Sequence, residues 1–179
     1  VYANACRGLF PKVPLVLGGI EASLRRIAHY DYWEDHVRRG ILLDAKADLL
    51  VFGMGERPVV ELAERLRRGE SIGQIRDIRG TAHVLRKGGW EGLAGDPSRH
   101  VGDGKAVVLP SFEEVRDVHG SADARKRFAE MSRAFQYETN PHNGRPILQP
   151  HGAEALWFNP PAYPMEEHEM DALYDAPFV

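Results

Sequence analysis

Short apolar runs alternate along the chain with amphipathic segments, and glycine or proline separates them. Val13–Leu17 and Ala47–Phe52 are continuous apolar runs, which is typical of strands buried on both faces of a parallel sheet. Each run ends near glycines and precedes a helical spacing of apolar residues, first over Ile20–Ala28 and then over residues 57–69. This repeated order of strand, turn and helix predicts part of a doubly wound, Rossmann-like α/β fold.

The pattern changes after residue 74 and predicts an α+β extension. It indicates an exposed hairpin strand over Ile75–Gly89, a glycine-rich loop over Gly88–Gly104 and a short strand with a turn over Lys105–Val115. These are followed by an amphipathic helix over Asp123–Tyr137, a polar loop over Glu138–Gly152 and a last strand over Ala155–Phe158. We therefore divide the chain into three segments. Residues 1–74 are the C-terminal half of a Rossmann-like domain, and residues 75–159 are an extension with hairpin and helix. Residues 160–179 are a proline-rich linker with a short helix.

Composition narrows the classes of function. The net charge of −3 over 179 residues argues against a general nucleic-acid binder, and no apolar run is long enough for a membrane-spanning helix. The lone cysteine, Cys6, excludes an intramolecular disulfide and fits a reducing cytoplasm. We expect this thiol to be buried on a helix. The chain begins at Val1 within a helical pattern, so we expect it to be a piece of a longer protein.

The glycines after the two apolar runs mark the first place where a ligand could bind, because open α/β sheets bind ligands at the carboxyl ends of their strands. These positions are Gly18, Gly19, Gly53, Gly55 and Glu56. Neither turn has the glycine spacing of a dinucleotide or phosphate-binding loop. A carboxylate at a helix N-terminus would compete with a phosphate, so Glu56 indicates helix capping or a contact with a cationic or hydroxylated ligand.

The run "HYDYWEDH" is the densest polar and aromatic cluster in the chain. It contains His29, Tyr30, Asp31, Tyr32, Trp33, Asp35 and His36. On a helix the two histidines would share one face two turns apart, which is too long a spacing for a paired metal site. Two interpretations stay open, an aromatic anchor against a neighbouring domain and a catalytic His–Asp pair.

A second polar run, "YETNPHNGRP", covers Tyr137–Pro146 and is punctuated by proline and glycine. Its candidate binding residues are Asn140, His142, Asn143 and Arg145. Rigid loops of this kind often carry function, but asparagine side chains also bond their own backbone in plain turns. Both interpretations stay open.

Several runs together resemble a known family. The segments "VPLVLGG" and "ADLLVFGMGERPVVELAERL" resemble the cobalamin-binding-like domain that precedes many radical S-adenosylmethionine (radical SAM) cores. The runs "GGIEASLRRIAHYDYW", "LPSFEEV", "ETNPHNGRP" and "WFNPPAYP" are similar to the N-terminal region of YgiQ-type radical SAM proteins, a family that is largely uncharacterised. The resemblance covers essentially the whole chain.

The resemblance implies that the intact protein binds a 4Fe–4S cluster and S-adenosylmethionine and performs radical chemistry on an unknown substrate. Both would be held by a downstream domain with a CxxxCxxC motif, and we expect neither to be held by this chain alone. A cobalamin role is not supported, because the histidine of the cobalamin motif DxHxxG is missing from this segment. The run "DVHG" does not supply it, since its glycine is misplaced and it does not follow the first strand of an α/β unit. The chain's partner would be its own C-terminal radical SAM domain.

The resemblance also implies roles for the candidate residues. Glu21, Asp31, His142 and Arg145 are the expected orienting groups. The residues expected to face a ligand or the domain interface are Gly18, Gly19, His29, Tyr30, Trp33, Gly53, Gly55, Glu56, Asn140 and Asn143. The alternative is a stand-alone, non-catalytic α/β module for ligand binding or interaction, in a gene that ends near Val179.

Overall fold

The computed structural model describes residues 2–86, 90 and 106–177. Its helices are Tyr2–Leu9 (α1), Gly19–Leu24 (α2), Ile41–Asp44 (α3), Glu56–Arg67 (α4), Phe112–Val115 (α5), Ala122–Tyr137 (α6) and Glu167–Tyr174 (α7). Its strands are Val16–Leu17 (β1), His29–Asp31 (β2), His36–Arg38 (β3), Leu49–Val51 (β4), Thr81–Leu85 (β5), Val107–Val108 (β6), Ile147–His151 (β7) and Glu154–Phe158 (β8). The glycine-rich loop predicted over Gly88–Gly104 lies outside the described residues, Trp90 excepted.

The centre of the fold is a six-stranded sheet with the order β1-β4-β5-β8-β7-β6. Strands β1 and β4 are parallel, as the two apolar runs predict, and β6 is parallel to β7. The remaining neighbours in the sheet pair antiparallel. The predicted α/β fold is therefore confirmed, with the antiparallel strands contributed by the extension. Since β4 pairs with β5, the first two predicted segments share one sheet, and the division into three segments stays a prediction.

Helices cover both faces of this sheet. Helices α2, α3, α5 and α6 pack on one face, around buried residues such as Leu42, Met131, Leu156 and Phe158. Helix α4 packs on the other face, where Leu62 meets strand β4. Burial of these apolar side chains supplies most of the driving force for folding. None of the helices among the described residues is long and apolar enough to cross a membrane.

Two sequence-based predictions in the extension are wrong. Strand β5, predicted as an exposed hairpin strand, lies between β4 and β8 with Thr81, Ala82 and His83 buried. Its side chains alternate between the two faces of the sheet, and both faces are covered there. The prediction assumes that one of the two faces is in contact with solvent. The segment over Glu138–Gly152, predicted as a polar loop, contains strand β7. A polar residue can occupy the centre of this strand because the Gln149 side chain is buried and its polar atoms are engaged in hydrogen bonds.

Helix α2 is shorter than the pattern over Ile20–Ala28 predicts, since it ends at Leu24 with Arg25 as its C-cap. The helix ends there because the chain around residue 40 lies close to its C-terminal end. The carbonyl of Arg25 accepts a hydrogen bond from the amide of Ile41, at 2.8 Å, instead of continuing the helix. Cys6 lies on helix α1 as expected, but its thiol is exposed and not buried.

Candidate functional site

The two glycine turns meet at one edge of the sheet, because β1 and β4 are parallel neighbours. Gly19 and Gly53 both have positive φ, at 88° and 70°, a conformation that favours glycine. The Ser23 hydroxyl joins the turns, since it donates to the Gly19 carbonyl at 2.9 Å and accepts from the Gly53 amide at 3.2 Å. Gly18 precedes helix α2 in an extended conformation. The two hydrogen bonds of Ser23 therefore link one turn to the other.

Glu56 is exposed in the first turn of helix α4, next to the N-cap residue Gly55. No side chain caps this helix end by a hydrogen bond. The carboxylate therefore stabilises the helix only through its charge near the positive end of the helix dipole.

The run "HYDYWEDH" forms a β-hairpin rather than a helix. Strand β2 pairs antiparallel with β3, so that His29 faces Arg38 and Asp31 faces His36. The helical spacing assumed for the two histidines is therefore wrong. The chain reverses through Asp35, which has a φ of 55°.

A cleft of about 540 Å³ lies at the base of this hairpin, between helices α1, α2 and α3. We call it the hairpin cleft, and among the residues that line it are Leu17, Glu21, Arg25, His29, Arg38 and Asp44. Two predicted candidates, Glu21 and His29, thus share one cavity. Glu21 forms an ion pair with Arg25 at 3.5 Å, one turn further along helix α2.

His29 presents an unused nitrogen in this region. Its Nδ1 lies 3.1 Å from the carbonyl of Ile27, while Nε2 is buried and has no hydrogen-bond partner. Burial, together with the charges of Arg25 and Arg38, lowers the pKa of His29, so the ring is neutral near pH 7. With Nδ1–H donating to Ile27, Nε2 is left as an acceptor without a donor.

Asp31 lies behind the cleft and organises it. Its Oδ1 accepts hydrogen bonds from the amides of Trp33, at 3.0 Å, and Glu34, at 3.3 Å, which fixes the hairpin turn. Its Oδ2 lies 3.8 Å from Nη1 of Arg25 and 3.7 Å from Nη1 of Arg38. Desolvation raises the pKa of this carboxyl, but the two amides and two guanidinium groups outweigh it and lower the pKa. Asp31 is therefore ionised and aligns both arginines at the cleft.

The tip of the hairpin carries two large aromatic side chains in solvent. Tyr32 and Trp33 are 80% and 87% exposed, with their rings in edge contact at 6.0 Å between centroids. On the flank of the tip, the Tyr30 hydroxyl donates to Asp35, and the Tyr30 ring meets the ring of His119 edge-on at 5.9 Å. The hairpin tip (residues 30–35) therefore lies beside the turn that precedes helix α6.

The "ETNPHNGRP" loop is closed by an ion pair at its base. Buried Glu138 accepts hydrogen bonds from the Arg145 amide, at 2.7 Å, and from its guanidinium Nε, at 3.1 Å. The hydrogen bond from the guanidinium to the Glu138 carboxylate, together with the charge of that carboxylate, raises the pKa of Arg145. Gly144 fits beneath the turn, because an added Cβ would lie 2.6 Å from the carbonyl oxygens of Asn140 and Glu138.

The exposed part of the same loop is held by its own backbone and by a neighbouring segment. The Asn140 side chain accepts from the His142 amide at 3.0 Å, and the His142 ring lies 5.7 Å from that of Tyr163. Arg79 stacks 4.1 Å over Tyr163 and donates to the carbonyl of Pro141 at 2.6 Å.

Helix α6 separates the two predicted clusters. His119, which contacts the hairpin tip, precedes this helix, and Glu138 follows it directly. A helix of 16 residues is about 24 Å long. The hairpin tip and the "ETNPHNGRP" loop therefore do not converge on one small ligand.

The chain matches one protein family over its entire length. The sequence profile described as "Radical SAM N-terminal" matches residues 1–179. The chain belongs to this family.

The chain is similar to proteins that are much longer than this radical SAM N-terminal region. The chain is 54% identical to a UPF0313 protein of Geobacter sulfurreducens, 46% identical to one of Rhodopseudomonas palustris and 39% identical to YgiQ, a UPF0313 protein of Escherichia coli K12. The matches cover 99–100% of this chain but only 27–29% of those relatives. No solved structure gives a significant match.

The donor set of this radical SAM N-terminal region does not fit an iron–sulfur cluster. A 4Fe–4S cluster is held by several cysteine thiolates, and the chain has only Cys6. Over residues 2–86, 90 and 106–177, no three His, Cys, Asp or Glu side chains are grouped so as to hold a metal ion.

Sequence reasoning missed the arginines that connect the candidates, which are Arg25, Arg38 and Arg79. A signal for the first two exists, because "RR" doublets flank the aromatic run on both sides. No comparable signal marks Arg79, which reaches Pro141 from 62 residues away in the chain.

Proposed function

We propose that this chain is the N-terminal, non-catalytic region of a radical SAM enzyme whose substrate is unknown. Family membership supports this, as does the length of the relatives, of which the chain spans less than a third. The 4Fe–4S cluster and S-adenosylmethionine would be bound outside this chain, where their chemistry is the one-electron reductive cleavage of S-adenosylmethionine. The residues of this chain supply a docking surface and groups that orient the substrate.

The observation that carries the docking role is the exposure of two adjacent large aromatics, Tyr32 and Trp33, at the hairpin tip. Aromatic side chains are enriched in protein interfaces, where their burial contributes much of the binding energy. The tip is also rigid, since Asp31 fixes the turn and Val37 anchors strand β3 in the core. A preformed apolar tip loses little entropy on docking. We therefore propose that the hairpin tip contacts the catalytic domain of the same protein.

The hairpin cleft, at the base of the same hairpin, is the better candidate for the substrate side. His29 Nε2 lacks a partner there, and Asp31 holds Arg25 and Arg38 in place. Arg145, in contrast, is held by Glu138 at the base of its loop. Glu21, His29 and the two arginines would orient polar groups of the substrate, while His142 and the neighbouring asparagines would face the domain interface.

The enzymatic proposal predicts that the full-length protein, reconstituted anaerobically with iron and sulfide, binds a 4Fe–4S cluster and cleaves S-adenosylmethionine under reducing conditions. Electron paramagnetic resonance measures the cluster, and chromatography measures the release of 5′-deoxyadenosine. The variant Cys6→Ser serves as the control and retains both properties, because an exposed thiol on α1 has no other cysteine of this chain beside it. Absence of cleavage in the reconstituted wild type, or loss of the cluster in Cys6→Ser, would contradict the proposal.

The docking proposal predicts protection of the hairpin tip in the full-length protein. Oxidative footprinting with mass spectrometry compares Trp33 with Tyr174, which are 87% and 75% exposed in this region alone. If the tip docks, Trp33 is oxidised several-fold more slowly than Tyr174, although the two side chains have comparable exposure and indole is the more reactive ring. Faster oxidation of Trp33 than of Tyr174 in the full-length protein rules out docking through this tip.

A further inference from the structure

A second cavity, of about 570 Å³, lies at the end of the sheet opposite the glycine turns. It opens where strand β4 begins and the antiparallel strand β5 ends. Four cationic side chains line it, namely Arg39, Lys46, Arg76 and Arg86. We call it the basic cleft. It contains none of the candidate residues discussed above.

Two of the charges around the basic cleft are already neutralised. Arg39 pairs with Asp44 at 3.0 Å. The acidic lining residue Asp48 pairs with Arg7 at 2.6 Å and also accepts the Leu15 amide at 2.7 Å. These groups therefore contribute little net field to the cavity.

The remaining charges leave an excess of positive charge. Lys46, Arg76 and Arg86 face one carboxylate, Glu154, and within the described part of the chain none of these cations has a carboxylate within ion-pair distance. The excess of two positive charges is local, since the chain as a whole carries a net charge of −3. A phosphate ester, with a charge of about −1.5 to −2 at neutral pH, balances this excess.

A buried histidine in the wall of the basic cleft lacks a hydrogen-bond partner. His83, on strand β5, is 6% exposed, and its Nδ1 is buried without a partner. Burial and the nearby charge of Arg76 lower the pKa of His83 to about 3, so the ring is neutral at pH 7 and retains one N–H. An unsatisfied buried polar group is costly and rare in folded proteins, and a ligand oxygen at this position would satisfy it.

Hydrogen bonds hold the backbone at Arg76 and Lys46, two of the cations that line the basic cleft. The side chain of buried Asn159 donates to the Arg76 carbonyl at 2.9 Å, and Arg76 Nε donates to the Gly73 carbonyl at 2.7 Å. Lys46 has a positive φ of 51°, and its carbonyl accepts a hydrogen bond from Arg7 at 3.3 Å. The ordered guanidinium of Arg76 reduces the entropic cost of binding a ligand there.

We infer that the basic cleft binds a phosphorylated small molecule, with Lys46 and Arg76 contacting the phosphate oxygens and His83 donating a hydrogen bond to one of them. The volume of the cavity matches that of sites for small ligands and cofactors. Arginine and lysine are the side chains that recognise phosphate by charge-assisted hydrogen bonds. This inference does not depend on the role proposed for the hairpin.

Isothermal titration calorimetry of the full-length protein with inorganic pyrophosphate tests the inference. Each of the variants Lys46→Asn and Arg76→Gln is expected to weaken binding roughly tenfold, the usual loss for one charge-assisted hydrogen bond. Asparagine at position 46 removes the charge and tolerates the positive φ. The matched control is Arg68→Gln, since Arg68 is 68% exposed and does not line the cleft. His83→Gln, checked by circular dichroism for folding, is expected to weaken binding as well.

The result that supports the inference is pyrophosphate binding that both charge variants weaken and Arg68→Gln leaves unchanged. Absence of binding up to millimolar pyrophosphate overturns it, as does equal affinity in all variants. A short single-stranded RNA serves as the second ligand. If it binds through Lys46 and Arg76 while pyrophosphate does not, the ligand is a nucleic-acid backbone and the small-molecule assignment is wrong.

Discussion

Replacing Gly40 by alanine is expected to destabilise the fold by about 1–3 kcal/mol, the usual cost of forcing an extra methyl group into a packed core. Gly40 has a φ of −55°, which any residue adopts, so the effect does not come from backbone strain. It comes from close packing. An added Cβ would lie 2.5 Å from the Arg26 carbonyl oxygen and closer still to Cδ1 of Leu156, a fully buried side chain of strand β8.

Neither neighbour of Gly40 can move freely. The adjacent Arg25 carbonyl is bonded to the Ile41 amide, and Leu156 is enclosed between β5 and β7. Thermal unfolding measured by circular dichroism should show a fall in Tm of roughly 2–4 °C for each kcal/mol lost. The matched control is Gly8→Ala on helix α1, where an added Cβ meets nothing within 4 Å. This control should be neutral or slightly stabilising, because alanine favours the helix. Equal Tm values for the two variants would contradict the packing argument.

The parallel half of the fold is predictable from the sequence because its signals are local. Continuous apolar runs, glycine turns and the stripe on helix α4 each depend on a few neighbouring residues. Strand β7 has no such signal. Its sequence, Ile-Leu-Gln-Pro-His, contains two polar residues and a proline, and its burial depends on partners from β8, α5 and α6.

The sequence yields candidate residues for a site but does not predict how they are arranged. The candidates Glu21 and His29 line one cleft, and Asp31 holds two arginines beside it, a grouping that the sequence does not indicate. The assumption of a helix failed because the Asp31 carboxylate, by accepting two amides of the following residues, stabilises a turn instead. Contacts across long sequence distances, such as that of Arg79 with Pro141, have no trace in the local pattern.

Replacing Gln149 by leucine is expected to destabilise the fold by roughly 2–6 kcal/mol, more than the change at Gly40. Gln149 is fully buried, and its side chain satisfies polar groups from distant parts of the chain. Oε1 accepts the Ala28 amide at 2.8 Å, and Nε2 donates to the Pro110 carbonyl at 3.1 Å. Leucine has a similar volume but leaves both backbone groups buried without a partner, which costs about 1–3 kcal/mol for each.

The hydrogen bond from the Ala28 amide to Gln149, which is lost in Gln149→Leu, also holds the hairpin. Ala28 immediately precedes strand β2, so in Gln149→Leu the amides of residues 28–38 should exchange with solvent faster than those of helix α4, which packs on the opposite face. Urea unfolding gives the stability, and hydrogen exchange with mass spectrometry gives the local effect. The control is Gln136→Leu, an exposed position on helix α6 where the change should stay within about 0.5 kcal/mol. A Gln149→Leu variant as stable as Gln136→Leu would show that the buried network contributes little. Uniformly faster exchange in both regions would show that Gln149 stabilises the whole fold rather than the hairpin in particular.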